Sequence, residues 1–412
     1  MTTDEKNLVL SLAAFADDEN DFLPSLASRA STPEVLGQLM FNRIGAIAYG
    51  TLMQHGMCGV LNREFRNPLR HAYEYNLISA ERYRKSVANV AKICADSGVP
   101  HAFLKGAVLC EIYPDGYRSA NDIDILVGSH DVTALGRALR NSGFRQGYLR
   151  GGVFRSATRE EIIGSRMNRG ETVPYVFGPD GNGAYTEVDL NYSLDFKAPR
   201  RGIVEDMLSR AGNQPFAPNA PVTLDMSDFF IHLCLHLYKE ASTYSWLRMG
   251  RDLSLYKFCD VYLAILTMGE TGAAEALVRA DKYGVADAVA CVIVWTGLLF
   301  RSLPRRVFES AMDTLAEDFA ILDRVIDPER HIEYEYFERD IVKRLFSRDR
   351  TSLLFVRRKN IKLLRRYIYE KTENERTRTV GAPDNILRAR RLRKDDTHQT
   401  SGGRAVEGSQ RL

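Results

Sequence analysis

Apolar positions along the chain fall into two periods. Residues 5–15 and 33–54 carry apolar side chains at three- and four-residue spacing, which predicts helices. A longer stripe of Leu69, Ala72, Leu77, Ala80, Val87, Val90 and Ile93 predicts a helix over 68–95. It stops at the turn signal Ser97-Gly98-Val99-Pro100, and Arg82, Arg84 and Lys85 fall mostly on its solvated face. The pattern then changes. A short strand over 101–104 meets Lys105-Gly106, and a helix follows over 107–113. After the turn Pro114-Asp115-Gly116, residues 122–127 alternate with period two, a helix over 132–142 closes at Gly143, and Phe144 begins another extended piece. Strand, helix, strand, helix, strand is an α/β pattern.

Residues 145–186 are rich in Gly and Arg and are predicted to be irregular up to an extended piece at 173–177. A turn over 178–183 and a strand over 184–192 complete a hairpin. Further on, helices are predicted over 228–240, 273–283, 285–299, 311–325 and 361–369. Arg248 and Asp252, four apart, are expected to pair. The last stretch is charged and has no apolar stripe, so it is expected to be disordered. The chain divides on this reading into an N-terminal helical segment (1–97), an α/β core (98–222), a C-terminal helical domain (223–370) and a tail (371–412). The fold class is α+β: a small mixed β-sheet flanked by N-terminal and C-terminal helical segments.

A length of 412 residues suits two or three domains, each of roughly 100–200 residues. A net charge of +3 with 45% hydrophobic and 26% charged residues offers no bulk attraction for nucleic acid. The basic run 388–394 in the tail is expected to be solvated rather than bound to RNA or lipid phosphate. The six cysteines are scattered with no CxxC pair, which points to reduced, buried thiols and against a disulfide framework or zinc site. The N-terminus lacks a basic region ahead of its apolar part. The longest apolar run, 288–300, is short of the length that spans a bilayer, about 20 residues. The expectation is a cytoplasmic protein with no membrane partner.

The candidate chemistry sits in NDIDILVG. Residues i and i+2 of a strand share a face, so Asp122 and Asp124 project together while Ile123, Ile125 and Val127 face a core. Two close carboxylates repel unless a cation lies between them, and Mg²⁺ is the hard cation that takes carboxylates with phosphate oxygens. In YTEVDLNY, Glu187 and Asp189 share a face and offer a third carboxylate. The strand–Lys105-Gly106–helix step is a geometry that suits an anion. His232 and His236 lie one turn apart on one helix face, but no HExxH glutamate or third ligand accompanies them. They read as core or supporting histidines rather than a zinc site.

Together these residues resemble the uncharacterised nucleotidyltransferases of the polymerase-β nucleotidyltransferase superfamily. The resemblance rests on Leu104-Lys105-Gly106, Tyr113, Arg118, Asp122-Ile123-Asp124-Ile125-Leu126-Val127 and Gly143-Phe144. The lead-in around Asn42-Arg43-Ile44-Gly45, the strand Val188-Asp189-Leu190-Asn191-Tyr192 and the stretch from Trp246 to Asp252 extend it. Asn191 stands where that branch commonly carries a His, and Gly106 is followed by Ala107 rather than a second Gly or Ser. The resemblance implies a nucleotidyltransferase core that moves an NMP group from an NTP to an acceptor hydroxyl or phosphate. It further implies that Asp122, Asp124 and Asp189 bind two Mg²⁺ ions and carry catalysis, and that Lys105, Gly106 and Arg118 bind the nucleotide. The acceptor is left open between a small molecule, a peptide, a protein and an RNA. The alternative is a catalytically inactive relative that binds a nucleotide or a partner; three intact acids argue against it.

Overall fold

The computed structural model describes residues 1–17, 23–150, 153–168, 170–178, 185–194 and 202–361. Five helices come first: α1 Thr3–Ala13, α2 Leu23–Ala30, α3 Pro33–Phe41, α4 Gly45–Gln54 and α5 Arg63–Ser97. The single helix expected over 33–54 is therefore two. Ile44 N–H reaches back to the Leu39 carbonyl (2.9 Å), and Arg43 takes a left-handed turn (φ +58°) between α3 and α4. Asn42 locks the break: its side-chain amide donates to the Gln38 carbonyl (3.0 Å), and its oxygen accepts from Leu255 N–H (3.3 Å). Helix α5 is capped by the Asn62 side chain on Phe65 N–H (2.8 Å) and ends on left-handed Gly98.

The middle of the chain runs β1 His101–Phe103, α6 Gly106–Ile112, β2 Asp122–Val127, α7 Val132–Asn141, β3 Arg145–Arg150, β4 Val153–Ser156, α8 Arg159–Asn168, β5 Tyr175–Phe177, β6 Thr186–Asn191 and α9 Ile203–Ser209. Strands β1 to β6 form one mixed sheet in the order β1-β2-β6-β5-β3-β4, with β2 and β6 parallel and the other pairs antiparallel. The hairpin of β5 and β6 is as expected, although its turn over 179–184 lies outside the described residues. The stretch 145–168 is not irregular: it is the β3–β4 hairpin followed by α8. Alternation sorts the two central strands. Ile123, Ile125, Val127, Val188 and Leu190 pack with Tyr83, Val87 and Val90 of α5 and with Leu135 and Leu139 of α7. The opposite face carries the acids.

The rest is α10 Met226–Ala241, α11 Tyr244–Arg248, α12 Leu255–Lys282, α13 Ala286–Leu299, α14 Arg305–Thr314, β7 Arg324–Asp327, β8 Ile332–Tyr336, α15 Ile341–Leu345 and β9 Leu354–Lys359. By length and composition α12 is the one described helix able to cross a membrane, but left-handed Gly269 (φ +68°) interrupts it, and its Phe258, Val261, Tyr262 and Ile265 are buried in the core. The helix expected over 311–325 ends early. Helix α14 stops at Thr314, a 3₁₀ turn spans Phe319–Asp323, and the chain enters β7. Strands β7, β8 and β9 make a second, antiparallel sheet inside a segment expected to be helical. Arg350, ahead of β9, reaches back to Asp252 with Nε at 3.0 Å and Nη2 at 2.7 Å from Oδ1, both side chains buried. Asp252 therefore pairs with Arg350 and not with Arg248, which is exposed. A buried bidentate guanidinium outcompetes a surface i,i+4 contact. The helix expected over 361–369, apart from residue 361, and the tail over 371–412 lie outside the described residues.

One hydrophobic cluster runs from Leu8 through α4, α10, α12 and α13 to Leu345, and the cluster beneath the sheet adjoins it. All six cysteines are free thiols, buried except for half-buried Cys58. The architecture is α+β.

Candidate functional site

Parallel pairing of β2 with β6 sets Asp122 beside Glu187 and Asp124 beside Asp189. Since both strands alternate in phase, all four carboxylates lie on the face turned away from α5 and α7. Asp124 is buried, Glu187 and Asp189 are partly so, and Asp122 keeps a solvent-exposed edge. The Tyr83 hydroxyl of α5 donates to the Asp122 carbonyl (2.9 Å) and pins the start of β2.

Asp124 is the best-held acid. Lys105 Nζ lies 2.9 Å from its Oδ1, and Asn191 Nδ2 donates to the same oxygen at 3.1 Å. These contacts, Lys105 foremost, outweigh burial and hold the Asp124 carboxyl below the usual range. Its neighbours go the other way. Burial and then Asp124 push Asp122 up, and burial followed by Asp124, Glu171, Asp122 and Glu187 pushes Asp189 well up. The turn that delivers Lys105 is itself strained: Lys105 has φ +42° and ψ −114°, a region glycine favours, and such backbone costs about 1–3 kcal/mol. Next to it, a Cβ on Gly106 would sit 2.3 Å from the Ala120 Cβ and 3.0 Å from the Tyr83 hydroxyl. Gly106 is therefore needed for close approach of α6 to the segment leading into β2.

Arg118 lies just upstream of β2 but is turned to α12. Its Nε and Nη2 donate to Asp260 at 3.2 and 3.3 Å, Nη1 donates to the Ser119 carbonyl, and its guanidinium stands 5.0 Å from the Tyr256 ring centroid. The Tyr113 hydroxyl donates to the same Asp260 (2.9 Å). The structure thus brings Lys105, Gly106, Asp122, Asp124 and Asp189 together, with Glu187 in register beside them and Arg118 joining the sheet to the helices.

Helices α10 and α12 supply residues that spacing alone did not place here. His232 is buried, its Nε2 has no hydrogen-bond partner among the described residues, and burial followed by Lys105 lowers it to about 3, with Asp124 opposing. One turn on, His236 stacks on it and sits 3.3 Å from Glu240. Lys257 contacts Glu240 and lies 3.5 Å from His236 Nε2. The two histidines on one face of α10 were the visible signal; their nearness to Asp124 was not.

The donor set suits a hard divalent cation. Carboxylates from paired strands lie side by side, where burial and mutual repulsion work against the charge of Asp122 and Asp189, which a cation would relieve. Among the described residues no three acid, His or Cys side chains are already drawn together as ligands; Lys105 neutralises Asp124 instead.

A family model described as an uncharacterised nucleotidyltransferase matches residues 28–301, which takes in the four carboxylates, Lys105, Gly106, Arg118, both histidines, Lys257 and Asp260 but neither the second sheet nor Arg350. No curated protein matches the chain.

Proposed function

Given that the chain belongs to the uncharacterised nucleotidyltransferase family, we propose that it moves a nucleoside monophosphate from an NTP to an acceptor hydroxyl or phosphate. The chemistry is that of the polymerase-β superfamily. The observation that carries the proposal is the in-phase parallel pairing of Asp122 with Glu187 and Asp124 with Asp189 beside Lys105. Asp122, Asp124 and Asp189 would hold two Mg²⁺ ions. When bound, Mg²⁺ supplies positive charge to the phosphate oxygens and lowers the pKa of the acceptor hydroxyl.

The chain's own groups do the rest. Lys105 shifts from Asp124 toward a phosphate oxygen once the carboxylate has another partner, as a flexible ammonium can. The turn at Gly106 lets the backbone approach the triphosphate. Arg118, fixed by Asp260, adds positive potential behind it. Asp189, in register beside Asp124, would complete the second metal site or receive the acceptor proton. Asn191 keeps Asp124 oriented throughout.

Incubating the protein with each α-³²P-labelled NTP, Mg²⁺ and cell extract tests the proposal, with an Asp122→Ala/Asp124→Ala double variant alongside. Label transferred to an acceptor by the native protein alone is the expected result. It also assigns the acceptor to small molecule, peptide, protein or RNA. Label that stays in every NTP, with equal NTP binding by both proteins, would overturn the reading in favour of a binding module.

A further inference from the structure

Three cations from three separate parts of the chain surround one aromatic ring. The charged groups of Arg43, Arg118 and Lys257 stand 5.6, 5.0 and 5.7 Å from the centroid of Tyr256. Arg43 comes from the left-handed break between α3 and α4, Arg118 from the approach to β2, and Lys257 from the first turn of α12. Lys105 is close enough to act on both Tyr256 and Lys257. The cationic group is therefore continuous with the acid site.

One cation of the group has no acid of its own. Arg118 is met by Asp260, Lys257 by Glu240 and Lys105 by Asp124. Arg43 is exposed and makes no ion pair among the described residues. Burial, then Lys105, Lys239 and Arg43 push the Lys257 ammonium down to about 7, with Asp260 opposing. Crowded cations of this kind repel one another unless an anion joins them. If a metal takes Asp124, Lys105 too loses its direct partner.

We propose that Arg43 and Lys257, seated on Tyr256, form the subsite for the β- and γ-phosphates of the NTP, contributed by helical segments outside the mixed sheet. This rests on the nucleotidyl-transfer reading, which places the α-phosphate at Asp122 and Asp124. The tail then runs past Lys105 toward α12. A guanidinium and an ammonium from different segments suit a flexible polyphosphate, which each can bind through separate oxygens.

Binding of AMP, ATP and inorganic tripolyphosphate, measured calorimetrically with Mg²⁺, tests this on the native chain and on Arg43→Ala, Arg43→Lys, Lys257→Met and Asp122→Ala/Asp124→Ala. The expected result is that Arg43→Ala and Lys257→Met each weaken ATP and tripolyphosphate by about tenfold. AMP affinity is unchanged, and Arg43→Lys recovers part of the loss. Arg43 is exposed, so its variants keep the fold even where Lys257→Met does not. Unchanged ATP and tripolyphosphate binding by Arg43→Ala overturns the subsite; so does an equal loss for AMP. If ATP binds the native chain and fails only in the double aspartate variant, the subsite falls and the nucleotidyl-transfer reading stands. If the native chain binds no nucleotide or tripolyphosphate, both fall.

Discussion

Asp124 and Asp122 are two residues apart on one strand, yet they have opposite relations to stability. Asp124 is compensated by Lys105 and Asn191, whereas Asp122 faces burial and the Asp124 charge with weaker relief. Under EDTA, Asp124→Asn should lower the thermal midpoint and Asp122→Asn should leave it unchanged or raise it. With Mg²⁺ and NTP, each should reduce transfer by at least about a hundredfold. A midpoint that falls as far in Asp122→Asn as in Asp124→Asn would contradict this account. His232 carries a pH dependence. Its folded pKa is lowered from 6.5 to about 3, so below pH 6.5 the unfolded chain binds a proton that the folded chain refuses. That stability is fully present above 6.5 and is lost as pH falls toward 3, by at most about 1.4 kcal/mol per pH unit. Urea midpoints should therefore fall less steeply with acid in His232→Gln than in the native protein; parallel slopes would remove His232 as the cause.

At the scale of elements, the site depends on how closely α6 approaches the segment entering β2. Gly106 meets Ala120, and Tyr83 beside it holds the Asp122 carbonyl. Gly106→Ala should cost about 1–3 kcal/mol through overpacking and lower transfer as well, because the displaced groups position Asp122. Denaturant midpoints and turnover measured together check it; intact turnover would mean that β2 does not feel the strain. The left-handed break at Arg43 has a comparable role, setting Arg43 over Tyr256 while Asn42 ties the same break to the start of α12.

Across the whole molecule, the second sheet belongs to the same folded unit as the site-bearing helices. Ile326 N–H donates to the Ser242 carbonyl (2.8 Å) at the end of α10, and Arg350 neutralises buried Asp252 ahead of α12. Ending the chain at residue 301, the limit of the family match, removes Arg350 and leaves Asp252 unpaired. Breaking a buried pair in this way costs about 3–5 kcal/mol. The shortened protein should melt well below the full chain and bind a hydrophobic dye; an unchanged midpoint would make the sheet an independent addition.

Local pattern was enough for several of these features. Alternation in NDIDILVG determined that Asp122 and Asp124 share a face opposite Ile123 and Ile125, and helical spacing found α5, α10 and α13. The Gly106 turn and the His232–His236 face of α10 were equally visible, because period and turn chemistry act over a few residues. Other features depended on distant partners. The stretch 311–325 has apolar positions compatible with a helix, but a 3₁₀ turn and β7 take its second half because β8 offers a paired edge. Asp252 has Arg248 at helical spacing and still pairs with Arg350, since burial strengthens the distant bidentate contact and water weakens the near one. Only the tertiary structure decided that β6 runs parallel to β2 in phase, so that Asp189 meets Asp124, and that Arg43, Tyr256, Lys257 and Asp260 gather beside them. Those placements follow from strand register and helix packing, where the free energy lies in contacts between segments far apart in the chain.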